Sequence, residues 1–145
     1  MEIKKILWPN DFSPTAHKVL PFVESLVETY GASLHLLHVA IDISRYGDFY
    51  GKPTPEHVKE MHDFMLEGAK KKLAEFCEDE LAECPTYEFH VKLGDPGEEI
   101  LKASEELGID LIVMPVRSGE RAAGLGSIAQ KVLRETTIPV LVITP

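Results

Sequence analysis

The sequence has 145 residues, a length suited to a single domain (residues 1–145), and its 24 acidic and 15 basic side chains give a formal net charge of −9. Apolar residues make up 44% and charged residues 27% of the chain, which is typical of a globular protein and excludes a disordered or fibrous one. Because binding to nucleic acid or to an anionic membrane needs a basic surface, the acidic balance argues against both partners.

Five short apolar segments have the length of β-strands, and the stretches between them carry apolar residues at helical spacing. Strands that alternate with helices require crossover connections, so the pattern predicts a mostly parallel sheet with helices on both faces. We therefore predict an α/β fold, a single-domain three-layer sandwich. The predicted strands are 3–8, 33–40, 86–93, 111–116 and 140–144.

Three helix starts are marked by a capping side chain followed by proline at the first helical position. They are Ser13-Pro14, Thr54-Pro55 and Asp95-Pro96. Within the first predicted helix, Pro21 should either kink the chain near His17 or split the helix, because proline lacks the N–H of the helical hydrogen bond.

The composition of the strands predicts their places in the sheet. Residues 86–93 alternate apolar and polar side chains, as expected for an edge strand with one face more exposed to solvent. Residues 111–114 are continuously apolar, as in a central strand. The segment from Val140 to Thr144 is equally apolar. In a monomer such a strand would be an exposed edge that tends to pair with another chain. We therefore predict a homodimer that pairs through this last strand.

The connection at residues 41–54 is long and contains three aromatic side chains, Tyr46, Phe49 and Tyr50. Such a loop either folds back onto its own domain or a partner, or closes as a lid over a ligand. Two cysteines do not make a disulfide framework. With no signal peptide at the N-terminus and no apolar run of roughly 20 residues, we expect a cytoplasmic protein without a membrane span.

Several chemistries are disfavoured by the residues themselves. His35 and His38 are three apart on a predicted strand and so face opposite sides of the sheet, and the six histidines predict no metal site. After the first strand, Ser13 stands where an aspartate-based phosphatase needs its second carboxylate. Neither a P-loop nor a dinucleotide-binding glycine motif is present. We predict no catalytic residues and no metal ligands.

Five segments, taken in order, resemble the universal stress protein family across nearly the whole chain. They are KKILWPNDFSP (4–14), LHLLHV (34–39), GDPGEEIL (94–101), DLIVM (110–114) and GSIAQKVL (126–133), the last followed by IPVLVI (138–143). The resemblance implies a parallel five-stranded sheet in the order 3-2-1-4-5, of the adenine nucleotide alpha-hydrolase-like or Rossmann-like type. It also implies dimers that pair through the fifth strands. The order reverses between strands 1 and 4, and their carboxyl ends open a crevice that is the expected ligand site.

The resemblance further implies an adenine nucleotide site, such as one for ATP or AMP. In members of the family that bind ATP, an aspartate after strand 1 and the backbone at the end of strand 2 lie near the adenine, and a glycine-rich loop after strand 4 holds the phosphates. Carried over by position, Asp11 and Val39 contact the base, while Gly126 and Ser127 close the phosphate loop. The remaining residues of the predicted site are Pro9, Met114, Arg117, Ser118, Gly119 and Ile128.

The middle of that loop departs from the family pattern. Pro115 replaces the first glycine, Ser118 or Gly119 must serve as the second, and the loop is about three residues short. Arg117 and Arg121 could compensate by pairing with phosphates, with or without Mg²⁺. Residues 114–145 carry a net charge of +2 and residues 1–113 a net charge of −11, so the basic stretch coincides with the loop.

Two functions from different classes therefore stay open. The first is a regulatory domain that binds an adenine nucleotide, and the second is a dimeric stress-response interaction protein that has lost nucleotide binding through its shortened loop. A slow ATPase or self-phosphorylating enzyme comes third, because no general base is identifiable near the phosphates. Structural roles are also open for single residues: Asp11 could stabilise its turn through an Asx hydrogen bond, and Ser127 could cap the last helix.

Overall fold

The computed structural model describes residues 1–40, 54–82, 86–117 and 125–144, and this part of the chain forms five strands and four helices. Strands and helices alternate along the chain, as the apolar pattern predicts. The elements are β1 (Lys5–Pro9), α1 (Pro14–Tyr30), β2 (Ser33–Ala40), α2 (Pro55–Glu80), β3 (Tyr87–Leu93), α3 (Pro96–Glu106), β4 (Leu111–Pro115), α4 (Ser127–Glu135) and β5 (Val140–Ile143).

The five strands form one parallel sheet in the order β3-β2-β1-β4-β5, which confirms the predicted α/β fold and strand order. β1 pairs with β2 along its whole length, from Lys5 beside Ser33 to Pro9 beside Leu37. Its other edge pairs with β4, where Ile6 lies beside Leu111. The alternating strand β3 and the apolar strand β5 are the two edges, and the continuously apolar β4 lies inside the sheet, as predicted.

Each face of the sheet carries its own hydrophobic core because side chains alternate along the strands. On one face, Ile6 and Trp8 pack with α1 and α2, and the ring of Trp8 meets Phe76 edge-on at 5.7 Å between centroids. On the other face, Leu7 and Ile112 pack with α3 and α4. In the described part of the chain, no helix combines the length and the apolar character that a membrane span needs.

All three helices begin at the predicted caps, and two of the three capping side chains make a capping hydrogen bond. The Thr54 hydroxyl accepts a hydrogen bond from His57 N at 3.2 Å, and the Asp95 carboxylate accepts one from Glu98 N at 3.0 Å. Ser13 makes no such bond, and its hydroxyl lies 2.5 Å from that of Thr15 instead. The predicted split at Pro21 is wrong, because α1 runs through it unbroken with Pro21 on the exposed side.

Some predictions fall on residues that the structure does not describe. Residues 41–53 of the aromatic connection, with Tyr46, Phe49 and Tyr50, lie outside the described ranges, as does Cys84. Cys77 is buried in the core between α2 and the sheet, where it contributes apolar packing.

Candidate functional site

The carboxyl ends of β1, β2 and β4 border a cavity of about 400 Å³. It lies beside β1, where the chain connections turn from one side of the sheet to the other, between β1 and β4. This is the position at which open α/β sheets bind ligands. Five residues of the predicted site line it. The lining residues are Pro9, Asn10, Asp11, Leu37, His38, Val39, Ala40, Pro96, Ile100, Met114, Pro115 and Ile128.

The turn after β1 is held by two side-chain hydrogen bonds. The side-chain oxygen of Asn10 accepts from Phe12 N at 2.8 Å, and Asp11 Oδ1 accepts from Ser13 N at 2.9 Å. Phe12 itself has a φ of 61°, a left-handed conformation that is uncommon for a bulky residue, and the two bonds hold it there. The Asx role of Asp11 is therefore confirmed, and the same side chain borders the crevice.

Asn10 is a crevice residue that the sequence did not single out. Only 4% of it is exposed, and its backbone N–H donates to Leu37 O at 2.8 Å. Among the described residues, its buried side-chain Nδ2 has no hydrogen-bond partner. A buried donor without a partner costs about 1–3 kcal/mol, and because this nitrogen has almost no accessible surface, the side chain must turn before it can donate to a crevice ligand. The available signal was a polar residue directly after a buried strand.

Val39 brings its backbone groups to the crevice as well as its side chain, which packs against the same core as the apolar lining residues. Ser33 N and Leu37 O bond toward β1, whereas Leu34 N and Ala40 O bond toward β3, so alternate residues of β2 face opposite neighbours. By this alternation, the N–H and C=O of Val39 point toward β1, beyond Pro9, the last β1 residue in the register. A donor and an acceptor thus stand side by side at the crevice, the pattern that the edge of a nucleobase can match.

The walls of the crevice are apolar side chains from both sides of β1. Leu37, Ile100 and Met114 are at most 3% exposed, and Ile128 joins them from α4. His38 contributes a polar edge, because its Nδ1 donates to Asn10 O at 2.8 Å. Apolar walls with a few placed polar groups are typical of small-molecule sites.

The connection from β4 to α4 is tight at Gly126. Its N–H donates to Val116 O at 2.9 Å, and a β-carbon added there would lie 3.0 Å from Arg117 Cα. Gly126 is also the N-cap of α4, so the alternative that Ser127 caps this helix is wrong. Arg117, Gly126 and Ser127 adjoin the lining residues along the chain but do not line the cavity themselves. The predicted residues Ser118, Gly119 and Arg121 lie outside the described residues.

Two helices begin at the crevice with different charges. The first turn of α3 carries Glu98 and Glu99, and its Asp95 cap lies 3.8 Å from Lys131 Nζ. The first turn of α4 carries no acidic side chain. Since the first N–H groups of a helix lack partners within it and favour anions, the α4 end is the more favourable position for a phosphate.

A second polar cluster lies on the sheet away from the crevice. His35 on β2 pairs in register with Glu88 on β3, and His90 follows two residues later on the same face of β3. Their ligand atoms all lie within 4.8 Å of one another. The sequence-based prediction compared histidines only along one element, and the cross-strand register that joins these three is not visible from such spacing.

The family model described as "Universal stress protein family" matches residues 2–144. The chain belongs to the universal stress protein family. The universal stress protein MJ0577 of Methanocaldococcus jannaschii is 31% identical over 156 residues, covering 97% of this chain and 94% of that one. A solved structure of MJ0577 matches with a TM-score of 0.84, 28% identity and coverage of 100% and 98% of the two chains.

Two more distant universal stress protein structures match the fold and were solved with ligands. One is a complex with cAMP, with a TM-score of 0.64, 16% identity and coverage of 99% and 98%. The other, from Archaeoglobus fulgidus, is a complex with dAMP, with a TM-score of 0.62, 20% identity and coverage of 99% of both chains. At these identities the likeness establishes the shared fold.

Proposed function

We propose that this universal stress protein binds an adenine nucleotide in the crevice between β1 and β4, as a single-domain regulatory module rather than a turnover enzyme. The observation that carries the proposal is the combination, in one cavity, of apolar walls and the backbone N–H and C=O of Val39. The cAMP and dAMP bound by the two distant relatives are adenine nucleotides, which supports the same ligand class here.

The base would lie between the apolar walls, with its edge toward Val39. Met114 and Ile128 offer surfaces that stack on a flat ring, while the Asn10 amide and the Asp11 carboxylate border the same space. Adenine carries both donors and acceptors on its edge, so it can satisfy the N–H and the C=O of Val39 together. Pro9 closes the site below the turn.

The phosphates would lie toward the start of α4. Because the Gly126 N–H is already bonded to Val116 O, the amides of Ser127, Ile128 and Ala129 in the first turn are the donors that remain. Arg117 would add a positive charge beside the phosphates, and Mg²⁺ would offset the charge of a di- or triphosphate; the predicted residues Ser118 and Gly119 belong to the same proposed site and lie outside the described residues. The shortened loop offers fewer donors than the family pattern, so AMP is tested beside ATP.

Calorimetric titration of nucleotide-free protein with ATP and AMP, each with and without Mg²⁺, tests the proposal. The Val39→Trp variant fills the crevice and should abolish binding. The matched Leu133→Trp variant places the same ring on an exposed position of α4 and should bind like the wild type. No heat from wild-type protein at millimolar nucleotide would refute the proposal, as would equal affinity in the Val39→Trp variant.

A second candidate is an interaction protein that acts through a homodimer in the cytoplasmic stress response. The apolar edge strand β5 favours it, since Leu141 is 36% exposed there beside Val140 and Val142. Sedimentation analysis should give a dimer at micromolar concentration for the wild type and a monomer for Leu141→Lys. A wild-type monomer would remove this candidate.

A further inference from the structure

The cluster of His35, Glu88 and His90 lies at the outer edge of the sheet, apart from the crevice. His35 is four residues before Val39 on β2, which corresponds to about 13 Å along the strand. His35 is 5% exposed, whereas the Glu88 side chain is 67% exposed. The three side chains therefore form a group with a buried inner member and an open outer side.

The distances within this cluster fit a small metal ion. His35 Nδ1 lies 3.1 Å from His90 Nε2, and Glu88 Oε2 lies 3.5 and 3.8 Å from these two nitrogens. A point about 2.0 Å from all three atoms exists at the centre of this triangle, and zinc–nitrogen and zinc–oxygen distances are about 2.0–2.2 Å. A rotation of the exposed Glu88 would let an ion rise from this plane toward a fourth ligand from solvent.

We propose that His35, His90 and Glu88 form a zinc-binding site with three protein ligands and a fourth position open to solvent. Two imidazoles and one carboxylate suit zinc and related transition metals, whereas Mg²⁺ and Ca²⁺ prefer sites made of oxygen atoms alone. The bound ion would join β2 to the edge strand β3 and replace the single proton that the two rings now share in their hydrogen bond.

The surroundings keep both rings in the form that binds a metal. Burial is the main cause that lowers the pKa of His35 and of His90, against the Glu88 carboxylate, which raises both, and a lowered pKa favours the neutral imidazole. The remaining nitrogen of His35, Nε2, lies 3.5 Å from the Ser33 hydroxyl, which can accept its proton and orient the ring. Two cations face the cluster, Lys5 from β1 and Lys92 from β3, and both oppose protonation of the rings.

Titration of the metal-free, full-length chain with Zn²⁺ in competition with a chromogenic chelator tests the site. We expect one zinc ion per chain, no competition from Mg²⁺ or Ca²⁺, and weaker binding at acidic pH, where protons compete with the metal for the imidazoles. His90→Ala and Glu88→Gln, both at positions that are not fully buried, should each weaken binding by at least about tenfold. Co²⁺ should give the visible absorption of a tetrahedral site, and His90→Ala should abolish it.

The matched control is His17→Ala. His17 also lies near a carboxylate, with its Nδ1 3.8 Å from Glu80 Oε1, but this is a pair of two residues in which the His17 side chain is 59% exposed. This variant should bind zinc like the wild type. Absence of stoichiometric zinc binding by the wild type, or equal affinity in His90→Ala, would overturn the proposal. The titration contains no nucleotide, so its outcome is independent of the function proposed for the crevice.

Discussion

Gly126 is the position where one added methyl group tests how closely α4 begins against the end of β4. A β-carbon there would lie 3.0 Å from Arg117 Cα and 3.2 Å from Val116 O. Carbon atoms normally pack at about 3.5–4.0 Å, so the contact is too short by roughly half an ångström. Because both neighbours are backbone atoms, the substitution Gly126→Ala must displace the chain rather than rotate a side chain.

The expected cost follows from two opposing effects. Overpacking of this kind costs about 1–3 kcal/mol, whereas replacing a glycine in an ordinary conformation stabilises by about 0.4–1 kcal/mol through the unfolded chain. The φ of −66° at Gly126 suits alanine, so no backbone strain is added. We expect Gly126→Ala to be less stable by about 1 kcal/mol, which lowers the Tm by about 3 °C in a chain of this size.

Urea unfolding followed by the fluorescence of Trp8, the single tryptophan, measures this difference. Gly68→Ala is the matched control, because Gly68 lies within α2 with nothing within 4 Å of an added β-carbon. That variant should gain about 0.5–1 kcal/mol from helix propensity alone. If both variants are stabilised alike, the close contact between Gly126 and the backbone of Val116 and Arg117 does not exist in solution.

Two further predictions concern titration and capping. Burial lowers the folded-state pKa of His35 and His90 below about 6.5, so the unfolded chain binds more protons than the folded one in this pH range. The free energy of unfolding should therefore fall as the pH drops from 7.5 through the lowered pKa values. The accompanying fall in the urea midpoint should be smaller in His90→Gln, and an identical pH profile for this variant and the wild type would contradict the assignment. Asp95→Ala removes a side-chain cap and should cost about 1 kcal/mol, while Ser13→Ala, at a start without such a bond, should cost much less; equal thermal shifts would contradict this.

The order of elements was predictable because it depends on local signals. Each of these signals is visible within about ten residues. They are apolar runs of strand length, proline after a capping residue, and the alternation of apolar and polar side chains along β3. The absence of the predicted split at Pro21 shows the limit of such signals, since packing of Val19 and Val23 against the sheet holds α1 together across the missing hydrogen bond.

The candidate site was predictable only in part. Asp11 and Val39 were predicted from the family resemblance and both line the crevice, but the bond between Gly126 N and Val116 O depends on how the chain folds back. The cluster of His35, Glu88 and His90 depends on the register between β2 and β3. Contacts of this kind join residues far apart in sequence, and spacing along one element does not reveal them.

The backbone of Val39 has a consequence for how this site can change over evolutionary time. Every residue except proline has the same backbone N–H and C=O. A substitution at this position can therefore reshape the crevice without removing the donor and the acceptor. Residue identity at this position is thus a poor marker of recognition. Proteins of this fold can diverge widely at the end of β2 and still offer the same pair of polar groups; proline removes only the donor, and a shifted strand end removes both.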